Sequence, residues 1–423
     1  MLFCASIVAK GMVIAMKKLK PGSIAADIKA AFKKDSQFIP FLLCVFMMGL
    51  AYGIHKGVID NYLAEVVGMG EFDRGVAEFF RELPGLLLVL ILAVFYMASA
   101  QTLFKAGAFI MLIGMGLLGI VPASKVIVTI CICIYSIGDH IQLGMRNTLT
   151  LEYASEGKGG EAMGYQGSAN QIGHLVGYII IIIAFMFIPA NIGSYKAFFI
   201  VSAVITAVGA YASLKLKGNS ETDKTKSRFY FRKKFMKYYM LEVFYGARKQ
   251  VFFTFGPYVL ILFYGANAKI ISLLYAITAI SSFLLSPVVG KIIDRLGYRI
   301  VMISDTLILV IVCFFYGFAH HIFPKDVAFV VCCINYVLDS IISLASMASS
   351  VYVKDISDSP EEMKATLSTG ISVNHMITIL IALFGGWIWQ TLGIETLFIL
   401  SAILGLCNSA YAATIKKSEG RGV

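Results

Sequence analysis

Residues Phe198–Leu214 read FFIVSAVITAVGAYASL, a run without a single Asp, Glu, Lys or Arg. Two other runs are of the same kind, Leu86–Ala100 (LLLVLILAVFYMASA) and Ile179–Pro189 (IIIIIAFMFIP). Such runs are too apolar and too numerous for the interior of one soluble domain, so lipid must solvate them. Backbone amides in hydrocarbon need internal partners, which leaves helices or a closed barrel. None of the runs alternates with period two, and that excludes the barrel. The fold class is therefore an all-α polytopic membrane protein.

The composition of the whole chain fits that reading. Its 423 residues are 58% hydrophobic and 14% charged, with a mean hydropathy of +0.80. A soluble domain of this size needs more polar surface. We expect twelve spans, at 38–58, 75–99, 102–122, 126–150, 163–188, 194–215, 238–264, 268–288, 300–319, 327–351, 366–388 and 393–414. If the N-terminus is cytoplasmic, about 26 of the 36 Lys and Arg fall on the cytoplasmic side, about 5 outside and about 5 within spans. Both termini are accordingly expected inside the cell, in a multi-pass protein of the plasma membrane. The net charge of +11 is absorbed by this topology, and no nucleic acid partner is expected.

The expected organisation is a cytoplasmic segment 1–36, a six-helix bundle 37–215, a basic linker 216–237, a second bundle 238–414 and a cytoplasmic tail 415–423. The linker concentrates Lys224, Lys226, Arg228, Arg232, Lys233, Lys234 and Lys237, a cluster suited to anionic headgroups. Residues 1–15 are too short for a span and suit an interfacial helix, or a stretch upstream of an alternative start at Met16. The eight cysteines lie in or beside apolar runs, never at metal-ligand spacing with histidine, and read as packing residues.

A half-to-half repeat supports the two bundles. An offset of 200 pairs Asp139 with Asp339, Glu161 with Glu361, Met163 with Met363 and His174 with Asn374. Parallel six-helix repeats place a solute site at their interface near midplane.

Between the eighth and ninth spans stands Gly290-Lys-Ile-Ile-Asp294-Arg295-Leu-Gly297-Tyr-Arg299. It resembles the G-x-x-x-D-R-x-G-x-R signature of the major facilitator superfamily, in the loop where that family repeats it. The resemblance implies two six-helix halves rocking around a central site, with Gly290, Asp294, Arg295, Gly297 and Arg299 as a conformational latch. Glycines let helix ends approach, Asp294 suits an opposing helix terminus, and the arginines hold the membrane edge by charge. The chain departs from the family pattern at Met97-Ala-Ser-Ala-Gln101-Thr-Leu-Phe-Lys105, where the first-half copy is missing.

Ionisable residues at membrane depth are functional candidates by default. On the fourth span Asp139, Gln142 and Arg146 share a face; the bland alternative is an internal pair that only holds the bundle. On the fifth, Asn170 and His174 stand one turn apart, and on the seventh Glu242 and Lys249 share a face with Arg248 adjacent. Of the two cations one is expected to face the cavity and the other to pair with an acid, and we take Arg248 as the solute contact. The tenth span offers Asn335 and Asp339, the eleventh Asn374 and His375. We assign Gln142, Arg146, Asn170, His174, Arg248, Lys249, Asn335, Asn374 and His375 to solute, and Asp139, Glu242 and Asp339 to proton coupling, since a protonated carboxyl loses its buried charge. Glu78, Arg81 and Glu82 are expected to form an ion-paired outer gate, with a solvated face above the bilayer as the alternative.

No P-loop, His-Glu-x-x-His or Gly-x-Ser-x-Gly pattern occurs, so no cofactor, metal or catalytic role is expected. The expected function is proton-coupled transport of a small polar, anionic solute by a monomer. Its rivals are efflux of amphipathic compounds, a non-transporting solute receptor, and a lipid-modifying membrane enzyme.

Overall fold

The computed structural model describes residues 21–34, 37–95, 98–217 and 231–415. Twelve long helices cross the bundle: α1 (Phe38–Asn61), α2 (Glu71–Val94), α3 (Ala100–Ile120), α4 (Lys125–Tyr153), α5 (Gly159–Phe187), α6 (Ile192–Leu214), α7 (Met236–Tyr264), α8 (Ala268–Leu296), α9 (Tyr298–Ile322), α10 (Lys325–Ile356), and α11 and α12, the two arms of Pro360–Ala413 on either side of Gly393. A left-handed φ of 90° at Gly393 separates the last two, and a 3₁₀ turn at Ser343–Ser346 interrupts α10. Nine stretches among the described residues are long and apolar enough to cross a membrane, one of them holding both α11 and α12. The two helices outside that set are α2 and α7, which carry Arg74, Glu78, Arg81 and Glu82, and Arg248 and Lys249.

The helices outrun the expected spans mainly at one end: α4 continues to Tyr153, α8 to Leu296 and α10 to Ile356, while α5 starts at Gly159 and α11 at Pro360. Hydropathy senses the width of hydrocarbon, whereas a helix continues past it wherever its backbone bonds close. That end also carries the helix Pro21–Ala31 and the start of α7 after the linker; we call it the linker end and the opposite one the far end. The N-terminal helix is tied to the α4–α5 turn, with Lys33 N donating to Tyr153 O at 2.9 Å and Ser155 N to Ala31 O at 2.9 Å. Of the expected features, residues 1–20, most of the basic linker and the tail beyond Ile415 lie outside the described residues.

Packing repeats from half to half. In the first half α1 packs on α5, α2 on α4, and α3 on α4 and α6; in the second, α7 packs on α11, α8 on α10, and α9 on α10 and α12. Small residues permit the tightest of these contacts. A Cβ on Gly49 would run into the Asn170 carbonyl oxygen, and one on Gly173 would stand 2.6 Å from Phe46 O, so α1 and α5 touch backbone to backbone. The halves meet along α2 with α11 and α5 with α8, again a symmetric pair. Cys44, Cys131, Cys313 and Cys332 are buried among these helices as free thiols.

Candidate functional site

The far end is closed by polar contacts between the halves. Asn61 donates to Ala266 O at 2.8 Å, Tyr258 OH to Met69 O at 2.9 Å, and Ser272 Oγ to Gly57 O at 3.0 Å. Close backbone approach seals α2 against α11: a Cβ on Gly75 would collide with Ala382 O, and one on Gly386 would lie 2.8 Å from Glu71 O.

From this seal a ladder of alternating charges descends along α2 toward mid-depth. Lys56 Nζ lies 2.7 Å from Asp60, Arg74 bridges Asp60 at 3.3 Å and Glu78 at 2.8 Å, and Arg81 meets Glu78 at 2.6 Å and pairs directly with Glu82. The second half supplies rungs: Tyr275 OH donates to Asp60 at 2.6 Å, Gln250 to Glu78 at 3.1 Å, and His375 Nδ1 stands 2.8 Å from Glu82. Asp60, Arg74, Glu78 and Glu82 are all buried, so Glu78, Arg81 and Glu82 do not form a solvated face. Buried charges persist only when each is paired and hydrogen-bonded, and here each is.

The contacts between the halves named above all lie at or above the level of Glu82 and His375. On α5 Ser168 and Gln171 are exposed, and Gly164 and Gly167 have no atom within 4 Å of a Cβ position; Asn147 and Thr148 on α4 and Ser368 on α11 are exposed as well. Polar side chains left open at membrane depth are the ones an aqueous space between the halves would meet.

Helical rotation decides what faces that space. On α4, Tyr135 stacks toward His55 of α1 and Arg146 bonds Asn170 of α5 at 2.9 Å, while Ser136 bonds the Arg81 carbonyl of α2. His140 lies against His375 of α11, ring centroids 5.3 Å apart. Asp139 falls on the strip between these contacts, so it points between α1, α5 and α2. It is half-buried, and among the described residues it has no hydrogen-bond or ion-pair partner. On α7, Gly246 meets Asn374 of α11, the Phe253 ring lies 5.0 Å from the Arg81 guanidinium and 5.2 Å from Lys56 Nζ, and Tyr245 reaches Ser343 O of α10. Lys249 falls between those directions; it is exposed and, among the described residues, likewise without a partner.

Several expected solute ligands sit elsewhere. Arg248, chosen above over Lys249, is 1% exposed and lies 3.6 Å from Asp305 and 3.9 Å from Asp339, inside the second half. The adjacent position, rotated by about 100°, takes the open side. Gln142 is buried with its amide on Phe104 O at 2.6 Å, and Asn335 bonds its own helix at Val331 O. Glu242 is held by Ser349 at 3.0 Å and Asn374 at 3.2 Å. In the first half Arg146, Asn170 and His174 are brought together, with the Tyr52 ring 4.6 Å from His174 and Asp139 two turns before Arg146 on the same helix, while Lys249 is exposed on α7 of the second half. Tyr52, Asp305, Gln250 and Tyr275 escaped the sequence reading; Asp305 alone had a signal, an acid at the depth of a span. At the motif expected to act as a latch, Gly297 turns α8 into α9 with φ 82° and Arg299 donates to Ala413 O at 2.7 Å. Asp294 and Arg295 are exposed and, among the described residues, make no ion pair.

Comparison with known proteins places this geometry. The model of the Major Facilitator Superfamily matches residues 41–349 and 239–421. Among solved structures, a point mutant of the nucleoside transporter NupG superposes with a TM-score of 0.73 at 13% identity, covering 90% of this chain and 100% of that one. The D-xylose-proton symporter gives 0.70 at 15% identity, covering 92% and 100%. A bacterial homolog of the human lysosomal transporter Spinster, inward-facing and occupied, gives 0.65 at 13%, covering 89% and 96%. At these identities the likeness is one of fold. No curated protein matches by sequence.

Proposed function

The chain belongs to the major facilitator superfamily, and from that premise we propose that it is a secondary active transporter carrying a small polar solute with an anionic group, by alternating access and coupled to protons. One observation carries the reading: Asp139 from the first half and Lys249 from the second make no hydrogen bond or ion pair among the described residues, although both lie at membrane depth. A charge left unpaired at membrane depth is costly unless water or a ligand meets it. Lys249 is the natural partner of an anionic group, and Arg146 and Asn170 of the first half offer further hydrogen-bonding contacts. Asp139 is the proton carrier, because an unpaired carboxyl must lose its charge before the space can close around it. Asp339, ion-paired with Arg248, and Glu242, hydrogen-bonded by Ser349 and Asn374, tie helices of the second half to one another. Asp294 and Arg295 engage when the linker end closes, which the basic linker assigns to the cytoplasm. NupG and the xylose-proton symporter, by their names, carry a nucleoside and a sugar, both small polar solutes.

The test is uptake by the full chain, as a monomer, in proteoliposomes given a panel of organic anions, nucleosides, sugars and amino acids with and without an inward proton gradient. Asp139→Asn should abolish accumulation against a gradient while leaving counterflow exchange. Lys249→Met should weaken an anionic solute about 10- to 100-fold, as loss of a charge-assisted bond requires. Gradient-driven accumulation that survives in the Asn variant removes Asp139 as the carrier.

A further inference from the structure

At the far end of the second half, well away from the central space, three side chains converge from two helices. His320 and His321 occupy the last turn of α9, and Glu395 stands just after the bend that starts α12. His320 Nε2 lies 3.2 Å and His321 Nε2 2.8 Å from the same oxygen, Glu395 Oε1, and the imidazole centroids are 3.9 Å apart. We propose that His320, His321 and Glu395 form a binding site for a divalent transition-metal ion of the zinc class.

The donor set is the first argument. Two imidazole nitrogens and one carboxylate oxygen suit Zn²⁺, Co²⁺, Ni²⁺ and Cu²⁺, whereas Ca²⁺ and Mg²⁺ take oxygen ligands. Spacing is the second. Ligands about 2.0–2.1 Å from a tetrahedral Zn²⁺ stand about 3.3 Å from one another, and the three donor atoms here all lie within 4.8 Å of each other. Small adjustments of the two imidazoles close the remaining difference. Three protein ligands leave a fourth position, and with the His321 side chain 58% exposed that position opens to water.

The surrounding chain supports the cluster. Gly317, one turn before the histidines, lets α12 approach α9, a Cβ there standing 3.4 Å from Phe398 Cβ and 3.6 Å from Glu395 Cα. Gly393 supplies the left-handed bend, and a Cβ on it would lie 2.7 Å from Glu395 Oε2, so glycine both turns the chain and leaves room for the carboxylate. The Phe263 ring, 5.3 Å from His320, backs one imidazole. The C-terminus of α9 adds the negative end of its dipole to the cation's surroundings. A second cluster, Glu82 with His140 and His375, also has metal-ligand spacing. There Arg81 already neutralises Glu82, so a further cation is opposed.

Bound metal would clip the far ends of α9 and α12, two helices of the same half, and so stabilise that half without locking the transporter. The test uses the purified full chain in detergent, stripped with chelator. Zn²⁺ should raise the thermal midpoint where equal Mg²⁺ or Ca²⁺ does not, and Co²⁺ should give the visible absorption of a low-coordinate His-ligated site. His321→Ala, at the most exposed ligand, should fold normally and bind at least about tenfold more weakly, since even outer-shell partners cost that much. Glu395→Gln should weaken binding while leaving the helices packed. Absence of a Zn²⁺-selective shift, or a shift and cobalt spectrum unchanged in both His321→Ala and the His320→Ala/His321→Ala double variant, would overturn the proposal and leave the cluster as two imidazoles donating to one carboxylate.

Discussion

His375 Nδ1 on α11 stands 2.8 Å from Glu82 Oε2 on α2, and Thr378 Oγ1 approaches the same oxygen at 3.4 Å. This clasp is the deepest rung of the ladder that joins the halves. Gly85, one turn along α2, makes room for it: a Cβ there would lie 2.6 Å from His140 Nε2 and 3.0 Å from His375 Cε1. Rocking of the halves has to break the clasp, together with the Gln250–Glu78 and Tyr275–Asp60 bonds above it.

Glu82→Gln should therefore loosen the far-end seal. The substitution weakens the charge-assisted hydrogen bonds that Glu82 makes with Arg81 and His375, worth about 1.5–3 kcal/mol each, although Arg81 keeps its pairing with Glu78. A lowered thermal midpoint and faster alkylation of a cysteine placed at Gly70 are expected; an unchanged labelling rate would show that the clasp does not hold the seal.

The adjacent cations of α7 should behave oppositely. Arg248→Met leaves Asp305 and Asp339 buried without their cation and should destabilise the protein by about 3–5 kcal/mol. Lys249→Met removes an exposed charge that makes no hydrogen bond or ion pair among the described residues and should change stability by no more than about 0.5 kcal/mol, while transport falls. Comparison of melting curves and uptake for the two variants decides it, and a stable Arg248→Met protein would contradict the buried triad.

Gly75→Ala tests the close approach of α2 and α11. Its new methyl would meet the Ala382 carbonyl oxygen, a backbone atom that yields only if the helices part, and overpacking of this kind costs about 1–3 kcal/mol. The expected outcome is a population shifted toward the far-end-open state, read from the distance between spin labels on Val67 and Ala266. Identical distance distributions in the two proteins would refute it.

Outside the membrane, Lys234 bonds Asp358 at 2.6 Å and Glu362 at 3.3 Å, tying the start of α7 to the α10–α11 turn. The hydrogen bond to Asp358, then the bond to Glu362, hold the lysine above its ordinary 10.5, against the opposing effect of desolvation. A raised folded-state value means that the contribution is fully present below 10.5 and is lost as pH climbs through the higher folded value. Loss of the Lys234 contribution in Lys234→Met should thus shift the thermal midpoint at pH 8 but not above the lysine's titration. An equal shift at both pH values would place the effect elsewhere.

Much of the architecture was legible one segment at a time. Runs such as Phe198–Leu214 declare lipid-solvated helices because a span's hydropathy depends only on its own residues. Gly290 through Arg299 carried the family, because a signature is contiguous. Even α2, whose first half is crowded with charge, was legible as a span from the apolar run that begins at Leu86.

What the amino-acid sequence alone determined, then, is the helical membrane fold, its two repeated halves and the set of charges at depth. Only the tertiary structure decided how those charges are used. Arg248 and Lys249 are neighbours with the same sign, yet rotation by one residue sends the first to Asp305 and Asp339 and the second into the open space. Glu82 finds His375 from 293 residues away, and His321 finds Glu395 from 74. The free energy of a buried charge depends on which opposite charge or dipole stands within a few ångströms. Helix packing, rather than any local pattern, sets that distance.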